Sequence, residues 1–432
     1  MKIIVCRIQE DDEFVIDGVD FTVDLFNKEQ YKYTFWTDKR KQLDQVDVFT
    51  KGAIDLFYIS LMVYYADRRI SRKKEDDNWT RSIKIYMPVF ELEKWISNKK
   101  LLEKMLCFLS GDRWFFKFRE RDCLNKNEKI VFNVNSRNTE IRWPKAVCML
   151  SGGLDSFVGA IDILCQDKDV WFVSHHSGGK GVSVYQDKVI DKLTNHFKLS
   201  LNHFFRFYSS PKKGIEDTTR TRSFMFFAHA ILLISSCSKE IILHIPENGF
   251  ISLNIPFTNT RLGSNSTRTT HPYYMSLLQQ LLSSLNLKVK LNNPFQFKTK
   301  GEMIENCIDP VFLKENIIET MSCSKPDIGR FKGESESKHC GNCLPCLIRR
   351  AAIEFAHNLD KTEYRDKGFK EGEAKNNLRS FKLGIKDYVV NKTEPALSIQ
   401  TSGPITENID EYCGIYTRGM NELKTLLDKY NG

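Results

Sequence analysis

The segment with the clearest capacity for chemistry is residues 147–156, which read VCMLSGGLDS. Its adjacent Gly152 and Gly153 allow backbone N–H groups to approach anionic oxygens that any Cβ would keep at a distance. Ser151 and Ser156 add hydroxyl donors on either side. Apolar residues at helical spacing follow, which predicts that the glycines lie where the positive end of a helix dipole meets an anion. The pattern predicts a phosphate-binding loop, with a plain strand-to-helix turn as the alternative.

Asp155 lies inside this loop and offers the carboxylate that a phosphate-bound Mg²⁺ ion prefers as a ligand. Two other motifs are excluded at the same time. Lys180 is followed by Gly181, where a Walker A loop has Ser or Thr. Met149 occupies the position of the first glycine of a serine hydrolase elbow. The predicted phosphate-binding residues are Ser151, Gly152, Gly153, Leu154, Asp155 and Ser156.

A second group of residues has the spacing of a metal site. Cys340, Cys343 and Cys346 are separated by two residues each, and Cys323 lies upstream. Zinc takes four soft ligands in a tetrahedron, and cysteines on a tight turn supply three of them without straining the backbone. The four cysteines therefore predict a closed, structural Zn²⁺ site. An iron–sulfur cluster and a set of buried thiols without a metal are the alternatives, and the neighbouring His339 is expected to point away.

The composition limits the kind of protein. The chain has 432 residues, with 64 Lys and Arg against 55 Asp and Glu, a net charge of +9. This excess suits anionic ligands such as ATP, and it permits contact with nucleic acid without requiring it. The uncharged run at residues 223–238 is too short to span a bilayer and predicts a buried core helix. We expect a cytoplasmic protein without membrane contact, because no secretion signal is recognised and clustered cysteines in a reducing compartment indicate metal.

The order of elements predicts an α/β fold with a doubly wound parallel sheet, since strands alternate with helices from Lys145 onwards. Trp143 and Pro144 mark a boundary. We predict an accessory α+β domain at residues 1–143, the nucleotide-binding domain with the cysteine site at 144–358, and an extension at 359–432. The predicted strands are residues 2–8, 14–26, 146–150, 170–175, 203–208 and 241–245, and the predicted helices of the first region are 54–66 and 89–109.

The stretch from about residue 145 to residue 356 resembles the 7-cyano-7-deazaguanine synthase (QueC) family of PP-loop ATP pyrophosphatases. Four features match in order, beginning with the glycine loop. The matching segments are Ser151 to Ser156, the helix start Arg222-Ser223-Phe224, the turn Asn293-Pro294 with Thr299-Lys300-Gly301-Glu302, and the cysteine region Thr320 to Cys323 with Cys340 to Cys346, closed by Arg349.

The chain also departs from that family. The segment between Cys323 and Cys340 is longer, His175 to Gly179 stands in place of a Tyr-Gly-Gln motif, and Pro246 to Gly249 replaces an Asp-x-Ser-Gly-Tyr motif. The family is also much shorter than this chain. The whole architecture is similar to the QueC-like component of bacterial Qat anti-phage defence systems, which implies partner proteins from a defence operon.

The resemblance implies an ATP-dependent carbon–nitrogen ligase. Such an enzyme adenylates the carboxylate of a 7-deazaguanine, releases pyrophosphate and lets an amine displace AMP. ATP, Mg²⁺ and Zn²⁺ are the implied cofactors, with Asp155, Lys300 and Arg222 as the implied catalytic residues. The acceptor is left open between ammonia and an amine of a partner protein. A PP-loop enzyme that modifies tRNA and a non-catalytic, ATP-binding scaffold are the alternatives.

Overall fold

The computed structural model describes residues 1–36, 49–126, 128, 143–176, 180–235, 237–256, 268–329, 333–357, 360–370, 372–390 and 394–430. Within these ranges the chain has an α/β architecture in which two mostly parallel sheets are flanked by helices. Its strands are β1 (Lys2–Arg7), β2 (Phe21–Asp24), β3 (Tyr31–Tyr33), β4 (Ser82–Val89), β5 (Arg113–Glu120), β6 (Ala146–Met149), β7 (Val170–His176), β8 (Phe204–Pro211), β9 (Ile241–His244) and β10 (Val289–Asn292).

The α-helices of the described residues connect and cover these strands. They are α1 (Lys51–Arg69), α2 (Leu92–Ser110), α3 (Leu154–Gln166), α4 (Lys180–Phe197), α5 (Arg222–Ile234), α6 (Gly249–Ser252), α7 (Pro272–Ser284), α8 (Lys300–Glu305), α9 (Pro310–Asn316), α10 (Leu344–Phe355), α11 (Gly372–Val390), α12 (Pro395–Gln400) and α13 (Ile409–Asp428). None of these helices is long and apolar enough to cross a bilayer.

The larger sheet has the strand order β10-β9-β6-β7-β8-β3, and the smaller sheet has the order β2-β1-β4-β5. Among the described pairings only β3 with β8 is antiparallel. The five parallel strands of the larger sheet can be numbered 1 to 5 along the chain, starting with β6. Read from β8 to β10, their order across the sheet is 3-2-1-4-5, as in doubly wound folds. The order changes direction between β6 and β9, and ligands of such sheets bind at the carboxyl ends of the strands flanking this switch point.

The parallel strands are buried because helices cover both faces of the sheet. Val147 and Cys148 in β6 have no exposed surface. The predicted run at 223–238 is confirmed as a buried helix, although α5 spans only Arg222–Ile234. The α/β fold with a mostly parallel sheet is therefore confirmed.

Several predicted elements are wrong in their bounds. Helix α1, expected at residues 54–66, is three residues longer at each end, and β8, expected at 203–208, continues to Pro211. The strand expected at residues 14–26 exists only as β2, because the chain turns at Gly18, whose φ is +72°. The helix expected at residues 89–109 begins at Leu92, since Val89 still belongs to β4. In the turn between β4 and α2, the backbone N–H groups of Phe90 and Glu91 donate hydrogen bonds to the Asp55 carboxylate, which stabilises the turn.

The N-terminal region packs directly on the larger sheet. Phe35 stacks on Phe207 of β8 with ring centroids 4.9 Å apart. Phe57 of α1 and Met225 of α5 belong to the same apolar core. The two regions thus share buried apolar surface across residues 143 and 144, and the division into domains stays a prediction.

Candidate functional site

The glycine loop follows β6 at the switch point of the sheet. Gly152 has a φ of +83°, and a Cβ there would lie 3.1 Å from the backbone nitrogen of Gln186. A side chain at this position is therefore both strained and crowded. The hydroxyl of Ser156 donates to the carbonyl oxygen of Gly153 over 3.0 Å and lies 3.1 Å from the hydroxyl of Ser151.

Helix α3 begins directly after this loop, at Leu154. The first four N–H groups of an α-helix have no partner inside the helix, and they carry its positive partial charge. The conformation of Gly152 and the start of α3 thus give the predicted phosphate loop the shape and polarity that an anion needs.

A buried ion pair lies below the loop. Asp155 Oδ1 is 2.8 Å from Lys300 Nζ, and the two side chains are 12% and 4% exposed. Asp155 Oδ2 accepts hydrogen bonds from the backbone nitrogen and the side-chain Nδ2 of Asn248, at 3.1 and 2.7 Å. The carboxylate is thereby fixed between a cation and two N–H donors.

Lys300 is held in place by its own helix start. It is the first residue of α8, where Thr299 and Glu302 form a capping box. Thr299 also donates its hydroxyl to the buried carboxyl of Glu422 in α13. Burial raises the pKa of Glu422 to about 7, so this C-terminal helix contributes an acceptor whose charge changes near neutral pH.

Two cavities open on the loop. One has a volume of about 770 Å³ and the other about 270 Å³. Ser151 and Ser156 line both, whereas Asp155 and Lys300 line only the smaller one. The larger cavity has the size of a pocket for a nucleotide or a drug-sized molecule.

A cation and a hydroxyl group face the larger cavity. Arg222 lines it at the start of α5, and within the described part of the chain its guanidinium forms no hydrogen bond or ion pair. Ser223 also lines it, and Ser322 lines the smaller cavity. Among the described residues the hydroxyls of these two serines have no hydrogen-bond partner, so both can bond to a polar ligand.

Glu247 lies between the two cavities and lines both. Its carboxyl accepts a hydrogen bond from the hydroxyl of Thr270. Burial raises the pKa of Glu247 to about 7, and the Asp155 carboxylate acts in the same direction. A carboxyl group with a pKa near neutrality can take up or release a proton under physiological conditions.

The four predicted cysteines meet in one cluster. The sulfur atoms of Cys323, Cys340, Cys343 and Cys346 all lie within 4.8 Å of one another. Backbone N–H groups point at the cluster, and those of Lys325 and Cys340 both lie 3.3 Å from Cys323 Sγ. Four thiolates at these separations fit a tetrahedral Zn²⁺ ion, and the donor set leaves no position for a substrate, as in structural sites.

The four thiols are coupled to one another. Hydrogen bonds among them lower the pKa of Cys340 and Cys343 and raise that of Cys323 and Cys346. The thiolate is the form that binds metals. His339 lies beside the cluster, but its Nε2 is bonded to the carbonyl oxygen of Thr320 at 3.1 Å, and its Nδ1 is 3.8 Å from Cys346 Sγ.

The cysteine cluster is coupled to the glycine loop. The backbone N–H of Met321 donates to the carbonyl oxygen of Gly152 over 2.8 Å. Leu344 and Pro345, which lie between the cysteines at the start of α10, line both cavities. A metal in the cluster would therefore fix one wall of the cleft.

The predicted residues divide between the two cavities. Both are lined by Ser151 and Ser156, the larger one by Arg222 and Cys343, the smaller one by Gly153, Leu154, Asp155 and Lys300, and neither by Gly152, Cys323, Cys340 or Cys346. Sequence reasoning missed the roles of three further residues. Asn248 fixes Asp155, Glu247 separates the cavities, and Arg220 lines the larger one while stacking 5.1 Å from the ring of Trp79. The only signal for the first two was their place directly after β9, at the carboxyl edge of the sheet.

A scan against models of known protein families finds no match, and a search of curated proteins also finds none. These comparisons therefore assign the chain to no family.

Proposed function

We propose that this protein is a PP-loop enzyme that uses ATP to activate the carboxylate of a 7-deazaguanine and transfers the acyl group to an amine. One observation carries the proposal. The glycine loop starts helix α3 at the switch point of the sheet and opens on a cleft in which Arg222 forms no hydrogen bond or ion pair with any described residue. A positive helix end and a free guanidinium on the same cleft suit a ligand with several anionic groups.

The reaction has two steps. One carboxylate oxygen attacks the α-phosphorus of ATP, the bond from that phosphorus to the bridging oxygen breaks, and pyrophosphate leaves. The amine nitrogen then attacks the acyl carbon, the bond from that carbon to the phosphate oxygen breaks, and AMP leaves with the oxygen that the carboxylate supplied. The nitrogen loses a proton in this second step.

The residues of the cleft have matching roles. The N–H groups at Gly152 and Leu154 and the hydroxyls of Ser151 and Ser156 would bind the phosphates. Arg222 would balance the negative charge that develops as pyrophosphate leaves.

Two carboxyl groups complete the assignment. Glu247, whose pKa lies near 7, is assigned the proton that the amine loses. Asp155 would hold Mg²⁺, which supplies charge neutralisation for the phosphates when bound. This fit requires Asp155 to share its carboxylate between the ion and Lys300, because Oδ1 lies 2.8 Å from Nζ.

The size of the cleft bears on the two partners of the reaction. A volume of about 770 Å³ accommodates a nucleotide but not a nucleotide together with a large acceptor. A small amine such as ammonia would fit inside. A partner protein would have to insert a chain terminus or the end of a side chain. We propose ammonia and an amine of a partner protein as the two candidate acceptors, and we place the partner protein in a bacterial defence system.

Isotope transfer tests the chemistry directly. The enzyme is incubated with ATP, Mg²⁺ and 7-carboxy-7-deazaguanine labelled with ¹⁸O in its carboxylate, together with ammonium. Carboxylate activation predicts AMP that carries one ¹⁸O atom, detected by mass spectrometry. Unlabelled AMP, or ADP in its place, would contradict the proposal, because the first would come from hydrolysis by water and the second from cleavage at another phosphate.

A further inference from the structure

The loop before helix α5 rests on the carboxyl-terminal end of helix α1. Asp67 of α1 has no exposed surface, and its Oδ2 accepts three hydrogen bonds from this loop. The donors are the backbone nitrogens of Arg220 and Thr221, at 2.6 and 2.8 Å, and the hydroxyl of Thr221, at 2.9 Å. The next residue is Arg222, which lines the larger cavity.

A second set of contacts fastens the preceding part of the same loop. The carbonyl oxygen of Arg68 accepts from the backbone nitrogens of Ile215 and Glu216, at 2.9 and 3.0 Å. The Glu216 carboxylate in turn accepts from the backbone nitrogens of Arg72 and Thr218, at 2.9 and 2.8 Å. Residues 215–221 are thus bonded to residues 67–72 at both ends.

The other side of Asp67 is anchored in a buried charge network. Its Oδ1 lies 2.6 Å from Arg81 Nη2, and Arg81 also pairs with Asp112 over 2.7 Å. Arg72 pairs with Asp112 at 2.9 Å. Burial works against the charge of Asp67, but Arg81 and the donors around it outweigh that effect and lower the pKa of this carboxyl.

A network of this kind is a poor source of stability. Replacing buried ion pairs by apolar residues is often neutral or stabilising, because the desolvation of the charges offsets their attraction. One carboxylate that receives three donors from a single loop, however, fixes the direction of that loop. Hydrogen bonds to a charged acceptor are shorter and stronger than neutral ones.

We propose that Asp67 is a positioning residue for the cleft, by which the N-terminal region holds the start of α5 so that Arg222 faces the ligand. The N-terminal region is then a part of the binding site rather than an appended module. This inference rests on the proposed function in one respect, namely that Arg222 binds an anion in the larger cavity.

The test compares variants of the full-length protein. Thr221→Val removes the hydroxyl donor to Asp67 and preserves the side-chain shape, while Thr221→Ser retains the donor. Asp67→Asn replaces the acceptor itself. Asp112→Asn is the matched control, because Asp112 belongs to the same charge network but, in the described part of the chain, forms no hydrogen bond or ion pair with residues 215–222.

Two readouts separate positioning from stability. Hydrogen exchange of the amides at residues 215–224 reports whether the loop is held, and it needs no ligand. Calorimetric affinity for inorganic pyrophosphate, together with KM and kcat for ATP in pyrophosphate release, reports the effect on the cleft. Thermal melting identifies any variant that fails to fold.

We expect Thr221→Val to speed exchange in this segment and to raise the dissociation constant of pyrophosphate and the KM for ATP about tenfold, the size expected for one hydrogen bond to a charged group. Thr221→Ser should restore both values. Asp67→Asn should have a larger effect of the same kind, and Asp112→Asn should lower the melting temperature without a selective change at residues 215–224.

The outcomes are distinct. Unchanged exchange in Thr221→Val, or equal effects of Asp67→Asn and Asp112→Asn on the segment, would overturn the positioning role. Faster exchange in Thr221→Val with an unchanged affinity for pyrophosphate would also overturn it, since the loop would then not control the cleft. If the native protein binds no pyrophosphate and releases none from ATP, the proposed function fails, whereas the exchange data still decide whether Asp67 holds the loop.

Discussion

The ion pair between Asp155 and Lys300 allows a quantitative prediction. At an N–O distance of 2.8 Å, the attraction is about 6 kcal/mol for an effective dielectric constant of about 20. Much of this is offset by the desolvation of the two charges. Replacing Lys300 by Met keeps most of the length of the side chain. Among the described residues it leaves the buried Asp155 carboxylate with Asn248 as its hydrogen-bond donor.

Removing one partner of a buried pair costs about 3–5 kcal/mol of unfolding free energy. The adjoining cavity of about 270 Å³ admits water, which places the expected cost of Lys300→Met near the lower limit, about 3 kcal/mol. Urea denaturation followed by circular dichroism measures it. The native protein and the variant are compared in one buffer without Mg²⁺ and nucleotide, because bound ligands would stabilise the folded state.

A double-mutant cycle provides the control. Asp155→Asn removes the charge while keeping the shape of the side chain and its contact with Asn248. The double variant Asp155→Asn, Lys300→Met should be more stable than Lys300→Met alone by about 2 kcal/mol, because the uncompensated carboxylate is gone. A cost below about 1 kcal/mol for Lys300→Met, or strictly additive effects, would refute the idea that this pair is desolvated and coupled.

Three further changes have expected outcomes. Gly152→Ala should cost about 1–2 kcal/mol and abolish nucleotide binding in calorimetry, whereas Gly18→Ala, with a φ of +72° and no heavy atom within 4 Å of its Cβ, should affect stability alone. We expect one zinc ion per chain in the native protein and none in Cys343→Ser, measured by mass spectrometry of the metal content. Removal of the metal by a chelator should lower the melting temperature of the native protein. Glu422→Gln should be more stable than the native protein above pH 7 by about 3 kcal/mol in urea denaturation, and equal to it below pH 4.5.

The sign of the pH effect follows from the direction of the pKa change. Burial raises the pKa of Glu422 from 4.5 to about 7, so the folded state holds a proton that the unfolded state has lost between these values. Its contribution to stability therefore declines as the pH rises through this window. A Glu422→Gln difference that is constant with pH would contradict the assignment. Equal nucleotide binding by Gly152→Ala, or full zinc content in Cys343→Ser, would contradict the other two predictions.

The sequence predicted the parallel sheet and the cysteine cluster because both depend on local patterns. Apolar strands alternating with amphipathic helices are visible along the chain, and three of the four cysteines are near neighbours in sequence. The position of the glycine loop followed from the strand that precedes it. Even the bounds of β6 and β7 deviate by only one residue from those expected.

The contacts that control the cleft join residues far apart in the chain, so no local sequence pattern predicts them. Asp67 meets Thr221 across more than 150 residues of chain, and an aspartate near the end of an apolar helix gives no indication of its partner. Asn248 likewise reaches Asp155 only because β6 and β9 are neighbours in the sheet. The raised pKa values of Glu247 and Glu422 depend on burial by several elements at once.

Pyrophosphate release is the most direct test of the central claim. Purified protein is given ATP and Mg²⁺, with and without 7-carboxy-7-deazaguanine. Arg222→Gln serves as the variant because Arg222 is half-buried and its replacement breaks no hydrogen bond or ion pair among the described residues. We expect release that depends on the deazaguanine and falls at least about tenfold in the variant. Release that is independent of the deazaguanine and equal in both proteins would contradict it.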